Sequence, residues 1–489
     1  MRDDRRSPAD DEGTNQGEPE RKLGLGDAVS LIVGVVIGAG IFETAPLVFS
    51  NVDGPWLGLA CWAIGGALSL AGACCYAELA STYPRAGGDY VYLSRAFGPK
   101  MAFFFAWAQL SLILTASIGM MAYVFADYAR AVFPFGERTS AAVAAGAVVV
   151  LTALNLASVT VGKTTQNILT VLKVAGLAAV VLAGFFAGGA HETASTQNRA
   201  PGAASGASLG LAMVLVLYTF GGWNDAAFVA AEVRDRRRHI ARALILGTGL
   251  VTLVYLLVNA AFLAGLGFEG VRASRAVAAD LLGTSFGPVG RTAISVLVMI
   301  SALGAANAII FMGARVHASL GRDYAGLSVL GNWHARRGQP AGALLVQAAV
   351  AVLLIALAGL GLGRSLIDRG FAALGVPGTP WTGHGGFDTL LRCTAPVFWF
   401  FFLMTGVSVF VLRVRDRHVD RPFRVPLFPL TPLVFCGTCA WMFIASLDYA
   451  GRLVLLSVPF LLLGIPFYFT RRQGRTGPVP TRVPAETIP

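Results

Sequence analysis

The sequence predicts an all-α polytopic membrane protein of about twelve transmembrane helices, built as two five-helix halves whose first and sixth helices are broken. Three observations predict it. Apolar runs of about twenty residues recur from Ala28 to Phe469, the length a helix needs to cross a hydrocarbon core roughly 30 Å thick. Charged residues make up only 13% of the chain and hydrophobic ones 55%, whereas a soluble domain carries about 25% charged residues. Two apolar segments at corresponding places in the chain carry the same kind of glycine interruption. A membrane barrel would instead alternate polar and apolar residues in segments of about ten.

Taken in order, the apolar runs place helices at 28–50, 56–80, 101–130, 140–157, 165–188 and 208–232, then at 240–266, 288–315, 340–362, 392–414, 427–446 and 451–470. Residues 1–25 are polar and rich in Asp, Glu, Arg and Gly, a composition that cannot bury enough apolar surface to fold. They lack the basic, apolar and cleavage regions of a signal peptide. Residues 26–188 form the first repeat, 207–414 the second, and 425–470 the last two helices; 471–489 read as a disordered, proline-rich tail. With the N-terminus cytoplasmic, the inner segments hold 27 Lys and Arg and the outer segments 10. That bias predicts that both termini are cytoplasmic, and the protein is expected to be integral to the plasma (inner) membrane.

The net charge of +11 would suggest nucleic acid in a soluble protein. Here it lies in short loops, so topology explains it and no nucleic-acid partner is expected. Cys61, Cys74, Cys75, Cys436 and Cys439 lie inside apolar runs and Cys393 at the edge of one, which reads as free thiols rather than a disulfide framework. The six histidines (191, 239, 317, 334, 384 and 418) fall in loops or near helix ends, and no cluster has metal-ligand spacing. An enzyme needs a nucleophile, a titratable pair or a metal; none is legible, so no catalytic residue, metal or cofactor is expected.

The first break reads VVIGAGIFETAP, with Gly38, Ala39 and Gly40 inside it; the second reads LVLYTFGGWNDAAF, with Gly221 and Gly222. Irregular backbone at membrane depth survives only where it lines a cavity or is covered by protein. Matched breaks in two halves are the sequence pointer to a transporter's binding site. Glycines that merely let helices pack closely are the competing explanation, weaker for a pair than for one. A helix break exposes unpaired backbone groups of both polarities. N–H groups around Ala39, Gly40 and Ile41 open a helix whose positive end suits a carboxylate. Carbonyls near Ile37, Tyr218, Phe220 and Gly221 suit an ammonium.

Several stretches, in order, resemble the amino acid–polyamine–organocation (APC) superfamily of permeases: GVVIGAGIF, CYAELASTYPRAGGDYVYL, FGGWNDAAFVAAEV, NAIIFMGARVHASLGRD and RPFRVPLFPLTPLVF. The resemblance runs from Lys22 to about Phe469 and is closest to the L-type amino acid transporter branch. It implies a LeuT-like fold with five-plus-five inverted repeats, an amino acid substrate and alternating access, by proton symport or exchange. It implies the same binding positions, with Tyr218 as an aromatic gate and Trp223 following the glycine pair. Lys173, in QNILTVLKVAG, matches a fifth-helix lysine of sodium-independent members, whose ammonium stands where sodium sits in sodium-coupled relatives; snorkelling to the interface is the alternative. Asn307 is a candidate neighbour for it. The implied substrate is a neutral L-amino acid.

Glu43 and Asp225 depart from the common L-type pattern. They could titrate or hold a substrate cation, which keeps a cationic amino acid or polyamine permease or antiporter as the alternative; a wet vestibule and a local pairing are the plainer explanations. Glu78, Arg85, Glu232 and the cluster from Arg234 to Arg242 read as interfacial anchors or as a salt-bridge gate. Animal members of the L-type branch join a glycoprotein through a cysteine after the third helix; the loop from Ala131 to Ser140 has none, so no disulfide-linked heavy chain is expected.

Overall fold

The computed structural model describes residues 23–472, except 39, 86, 134, 187–208, 275, 334–338, 374, 379–380 and 382–384. Of the terminal stretches expected to be disordered, 1–22 and 473–489 therefore lie outside the described residues, as does Ala39.

The described chain is nearly all helical. The first span comes in two pieces, α1 (Leu25–Val36) and α2 (Gly40–Ser50). Next come α3 (Pro55–Thr82), the short α4 (Asp89–Phe97), and a third span of α5 (Pro99–Ala108), a π-helical turn at Gln109–Ile113 and α6 (Leu114–Val132). The first half closes with α7 (Glu137–Ala157) and α8 (Val159–Phe186). The second half opens with another broken span: α9 (Leu209–Thr219) followed by a 3₁₀ segment, Trp223–Glu232. It continues through α10 (Arg236–Ala273), α11 (Val277–Asp323), α12 (Ala341–Gly359), α13 (Gly361–Ala373) and α14 (Gly386–Arg415). Last come α15 (Leu430–Ala450), α16 (Ser457–Leu462) and α17 (Ile465–Tyr468).

Among the described residues ten helical stretches are long and apolar enough to cross a membrane. The interrupted first span escapes that count, and the last stretch, Leu430–Tyr468, turns at Gly451, whose φ is +54°. The expected limits of the seventh and eighth helices, 266 and 288, coincide with kinks at Gly267 and Gly287, which have φ of +70° and +59°. The eighth runs on to Asp323 rather than 315. Arg315 and His317 are therefore inside a helix and at most 1% exposed, which corrects the placement of His317 in a loop or near a helix end. Arg315, like Lys173, is therefore a buried cation. All six cysteines are free thiols.

The broken spans lie at the centre. α1 packs on α8, α10, α11 and the 3₁₀ segment, while α10 covers α3 and α11 covers α6. Large apolar side chains such as Val171, Leu172 and Leu182 on α8 stay exposed, as a lipid-facing surface requires. Both ends of the described chain lie on one face. Leu23 exchanges backbone hydrogen bonds with Glu232 and Arg234, at 3.0 and 2.8 Å, and Arg471 bridges Tyr324. The same face is tied by ion pairs: Arg315 with Glu232, Arg413 and Arg421 with Glu78, and Arg95 with Asp416.

Candidate substrate site at the two helix breaks

α1 ends at Val36 because Ile37 leaves helical geometry, with φ −76° and ψ 80°, and α2 starts three residues later. α9 ends at Thr219, and Gly222 takes φ +106° before the 3₁₀ segment begins. No side chain suits that conformation, and a Cβ there would also stand 2.4 Å from Val35 Cγ1. The two breaks are fastened to each other from behind. The Tyr255 hydroxyl donates toward both Val36 O, at 2.7 Å, and Thr219 O, at 3.2 Å. Ser301 Oγ lies 3.0 Å from Ile37 O and 3.3 Å from Gly38 O. On the front, the Thr44 and Thr219 hydroxyls meet at 2.9 Å.

A cavity of about 1030 Å³, its mouth included, opens between the breaks. Gly38 and Gly40 line it from the first span, and Tyr218, Gly221, Gly222 and Asp225 from the sixth. Toward the face opposite the termini its wall is largely apolar, with Met120, Met121, Leu391 and Phe398 beside Thr394 and Ser117. Toward the termini the 3₁₀ segment closes it, residues 226–230 being fully buried. The N-terminus of α2 and the C-termini of α1 and α9 thus point at one space, offering the positive and negative dipole ends that a zwitterion needs.

Not every expected residue faces this space. Ile37 is fully buried and its carbonyl already accepts from Ser301. Tyr218 O accepts from Gly221 N at 3.0 Å. Ile41 and Phe220 are buried, and Phe220 packs on Trp62 and Tyr255. Trp223 turns away, its ring 5.2 Å from that of Tyr76 and 5.3 Å from that of Phe402. Tyr218 is half-buried at the cavity wall, its hydroxyl 4.0 Å from Met120 Sδ. The side chain of Glu43 lies outside the described residues.

Lys173 is fully buried, and its ammonium donates to Gly34 O at 2.8 Å. It reaches neither interface, so snorkelling does not describe it. Gly34 is glycine for a visible reason: a Cβ there would lie 1.8 Å from Gln166 Nε2. Asn307 is not bonded to Lys173. It joins a neighbouring amide network, accepting from Asn155 at 2.7 Å and donating to Gln166 at 3.0 Å.

Sequence reasoning missed the third-span contribution. Gln109 and Ile113, both in the π-helical turn, line the cavity with Ser117. π-turns concentrate at functional sites, but nothing in the local sequence announces one. Tyr255 and Ser301 were missed as well, since only the packed fold aims them at the breaks. Among the described residues there is no group of His, Cys, Asp or Glu that could hold a metal.

A broken-helix inverted repeat around one central cavity defines a membrane transporter of the alternating-access class. The chain matches the amino acid permease family model over residues 23–463, and it belongs to that family, within the APC superfamily. It is 28% identical to the b(0,+)-type amino acid transporter 1 of Mus musculus, with 92% of this chain and 88% of that one covered. It is 27% identical to the cystine/glutamate transporter of Homo sapiens, over 94% and 86%, and 28% to the Asc-type amino acid transporter 1 of Mus musculus, over 94% and 82%. Its fold is similar to that of Mhp1, a nucleobase-cation-symport-1 family transporter solved in a closed conformation with bromovinylhydantoin bound. There the TM-score is 0.53 at 13% identity, over 94% of this chain and 97% of that one.

Proposed function

We propose that this amino acid transporter carries neutral L-amino acids without sodium, by alternating access. The observation that carries the reading is the convergence of both breaks on one cavity whose far wall is largely apolar. In this reading the substrate carboxylate meets the N–H groups at the start of α2, from Gly40 on. Its ammonium meets the carbonyl ends of α1 and α9, and its side chain lies along Met120, Met121 and Phe398. Tyr218 covers the bound molecule. Lys173 takes the structural place of a coupled cation, because its ammonium already ties α8 to α1 and would repel sodium.

Both termini face the cytoplasm of the plasma membrane in this reading, as the Lys and Arg distribution supports. Neither a cofactor nor a disulfide-linked heavy chain is required. Asp225 on the cavity wall favours a second reading, in which a cationic amino acid or polyamine is carried.

Uptake into proteoliposomes in sodium-free buffer tests both. Radiolabelled leucine should enter, leucine analogues should compete, and arginine and putrescine should compete weakly. Strict sodium dependence would reject the role given to Lys173, and a preference for arginine or putrescine would favour the second reading.

A further inference from the structure

Two long apolar helices, α14 and α15, are joined at the termini face by residues 416–429, and this connection is fixed from the inside. Glu78 on α3 accepts from Arg413 Nε at 2.8 Å and from Val425 N at 2.7 Å, and it meets Arg421 Nε at 3.3 Å. Arg421 also donates to Leu412 O, at 2.9 Å, and to Asp416 O, at 3.2 Å, which folds the connection back on the last turn of α14. Three donors on one buried carboxylate leave this loop little freedom.

The outward side of the same loop is apolar and cationic. Leu427 is 77% exposed, Leu430 59%, Val414 79% and Phe428 40%. Leu427 holds φ at +52°, a left-handed conformation that costs a bulky residue energy, and yet its side chain is left uncovered. The Phe428 ring lies 5.5 Å from that of Phe410, and the Arg413 guanidinium lies 3.8 Å from the Phe428 centroid. Apolar and cationic groups therefore share one edge of the molecule. Arg417 and Arg424 are exposed, and neither has a hydrogen-bond or ion-pair partner among the described residues. The two acids of the loop are engaged elsewhere: Asp416 holds Arg95 and Tyr83, and Asp420 faces Arg237 at 3.4 Å.

At a bilayer surface an uncovered apolar side chain belongs among the upper acyl chains, and a long cationic one reaches the phosphate layer just above them. Arginine suits phosphate in particular, because its planar fork offers two parallel N–H donors. Topology alone asks for Lys and Arg on one face. It does not ask for a leucine in a left-handed conformation, or for a loop clamped so that two of its guanidiniums stay unpaired. We propose that the 416–429 connection binds an anionic phospholipid, with Arg417 and Arg424 on the phosphate of the headgroup and Leu427 and Phe428 between the upper acyl chains. Charge decides the class of lipid. With both acids of the loop engaged, a zwitterionic headgroup would bring its own cation against the arginines, whereas phosphatidylglycerol brings only its negative phosphate. The site lies apart from the central cavity and does not depend on which substrate is carried.

The test is native mass spectrometry of the full chain released from detergent micelles that hold equal amounts of phosphatidylglycerol and phosphatidylcholine. Wild type should retain phosphatidylglycerol in several-fold excess. Arg417→Gln combined with Arg424→Gln should erase that excess. Lys100→Gln combined with Arg472→Gln removes the same charge from exposed positions near Asp323 and Tyr324 on the same face, and should leave the excess unchanged. Leu427→Gly relieves the left-handed backbone, so it should melt no earlier than wild type and still retain less phosphatidylglycerol. Glycerol phosphate, a headgroup without chains, should not displace the lipid. No preference in wild type, or an equal fall in both charge variants, would overturn the site. Full displacement by glycerol phosphate would overturn it too, by giving the arginines to a soluble phosphate. Should the double arginine variant fail to fold, Leu427→Gly decides: retention equal to wild type overturns the site, and reduced retention in a protein that melts no earlier supports it.

Discussion

Gly40, Gly221 and Gly222 sit at equivalent-looking places in the sequence, yet a methyl group would meet different things at each. At Gly222 it would meet both a left-handed backbone and Val35 at 2.4 Å. Gly222→Ala should therefore lower folding stability by about 1–3 kcal/mol, read as a lower melting temperature and poorer yield in detergent. At Gly40 the nearest atom would be Thr219 Cγ2 at 3.3 Å, which a small shift can accommodate. Gly40→Val should fold and fail to transport, because its side chain fills the space a carboxylate needs; normal uptake would remove Gly40 from the site. Tyr218→Ala should raise the leucine KM by the equivalent of about 1–3 kcal/mol, the scale of one large apolar side chain lost from burial. An unchanged KM would return Tyr218 to ordinary packing. Lys173→Met keeps the volume and removes the ammonium that holds Gly34 O. It should cut transport at least tenfold, and full activity would show that the tie between α8 and α1 is dispensable.

The elements that close the termini face are held by charge rather than by apolar packing alone. Arg315 meets both oxygens of Glu232, at 2.8 and 3.1 Å, with both side chains at most 2% exposed. Removing one partner of such a pair strands a buried charge, which costs about 3–5 kcal/mol, whereas removing both costs far less. Arg315→Met should therefore unfold earlier in thermal scans than the Glu232→Met, Arg315→Met double variant; equal losses would mean that the pair's charges matter less than its volume. The tie between α14 and the α4 region, Arg95 with Asp416, is different, being less completely buried. Burial tends to raise the Asp416 carboxyl, but the hydrogen bonds from Arg95 and Tyr83 prevail and hold it below the usual carboxylate range. A depressed folded value means that this stabilisation is complete above the ordinary aspartate value of about 3.9 and is lost as pH falls through the lower folded value. The melting-temperature gap between wild type and Asp416→Asn should be open at neutral pH and close in strong acid. A gap that persists there would assign the effect to packing.

For the whole molecule, much of what depends on one dimension was legible in the sequence. A bilayer imposes a length and a polarity on every crossing, so spans, loops and the two interruptions were written in composition and spacing before any contact formed. Glycine pairs inside apolar runs are visible for the same reason, as are Lys173 and Asp225, charges out of place in their local sequence. What depends on three dimensions was not legible. No local signal says that Tyr255 and Ser301 would clasp the breaks, that a π-turn would bring Gln109 to the cavity, or that Trp223 would turn its ring toward Tyr76. Asn307 was expected beside Lys173 and instead bonds to Asn155 and Gln166, because helical phase, not proximity along the fold, decides which amide meets which ammonium. His317 and Arg315 were placed near a helix end because the eighth helix continues past its apolar run, and only packing against neighbouring helices makes that polar extension buried. The sequence determined that this protein crosses the membrane many times and opens its backbone at two matched places. Tertiary structure decided which side chains share the resulting cavity and which charges meet, as Arg315 meets Glu232, since both are set by contacts between residues far apart in the chain.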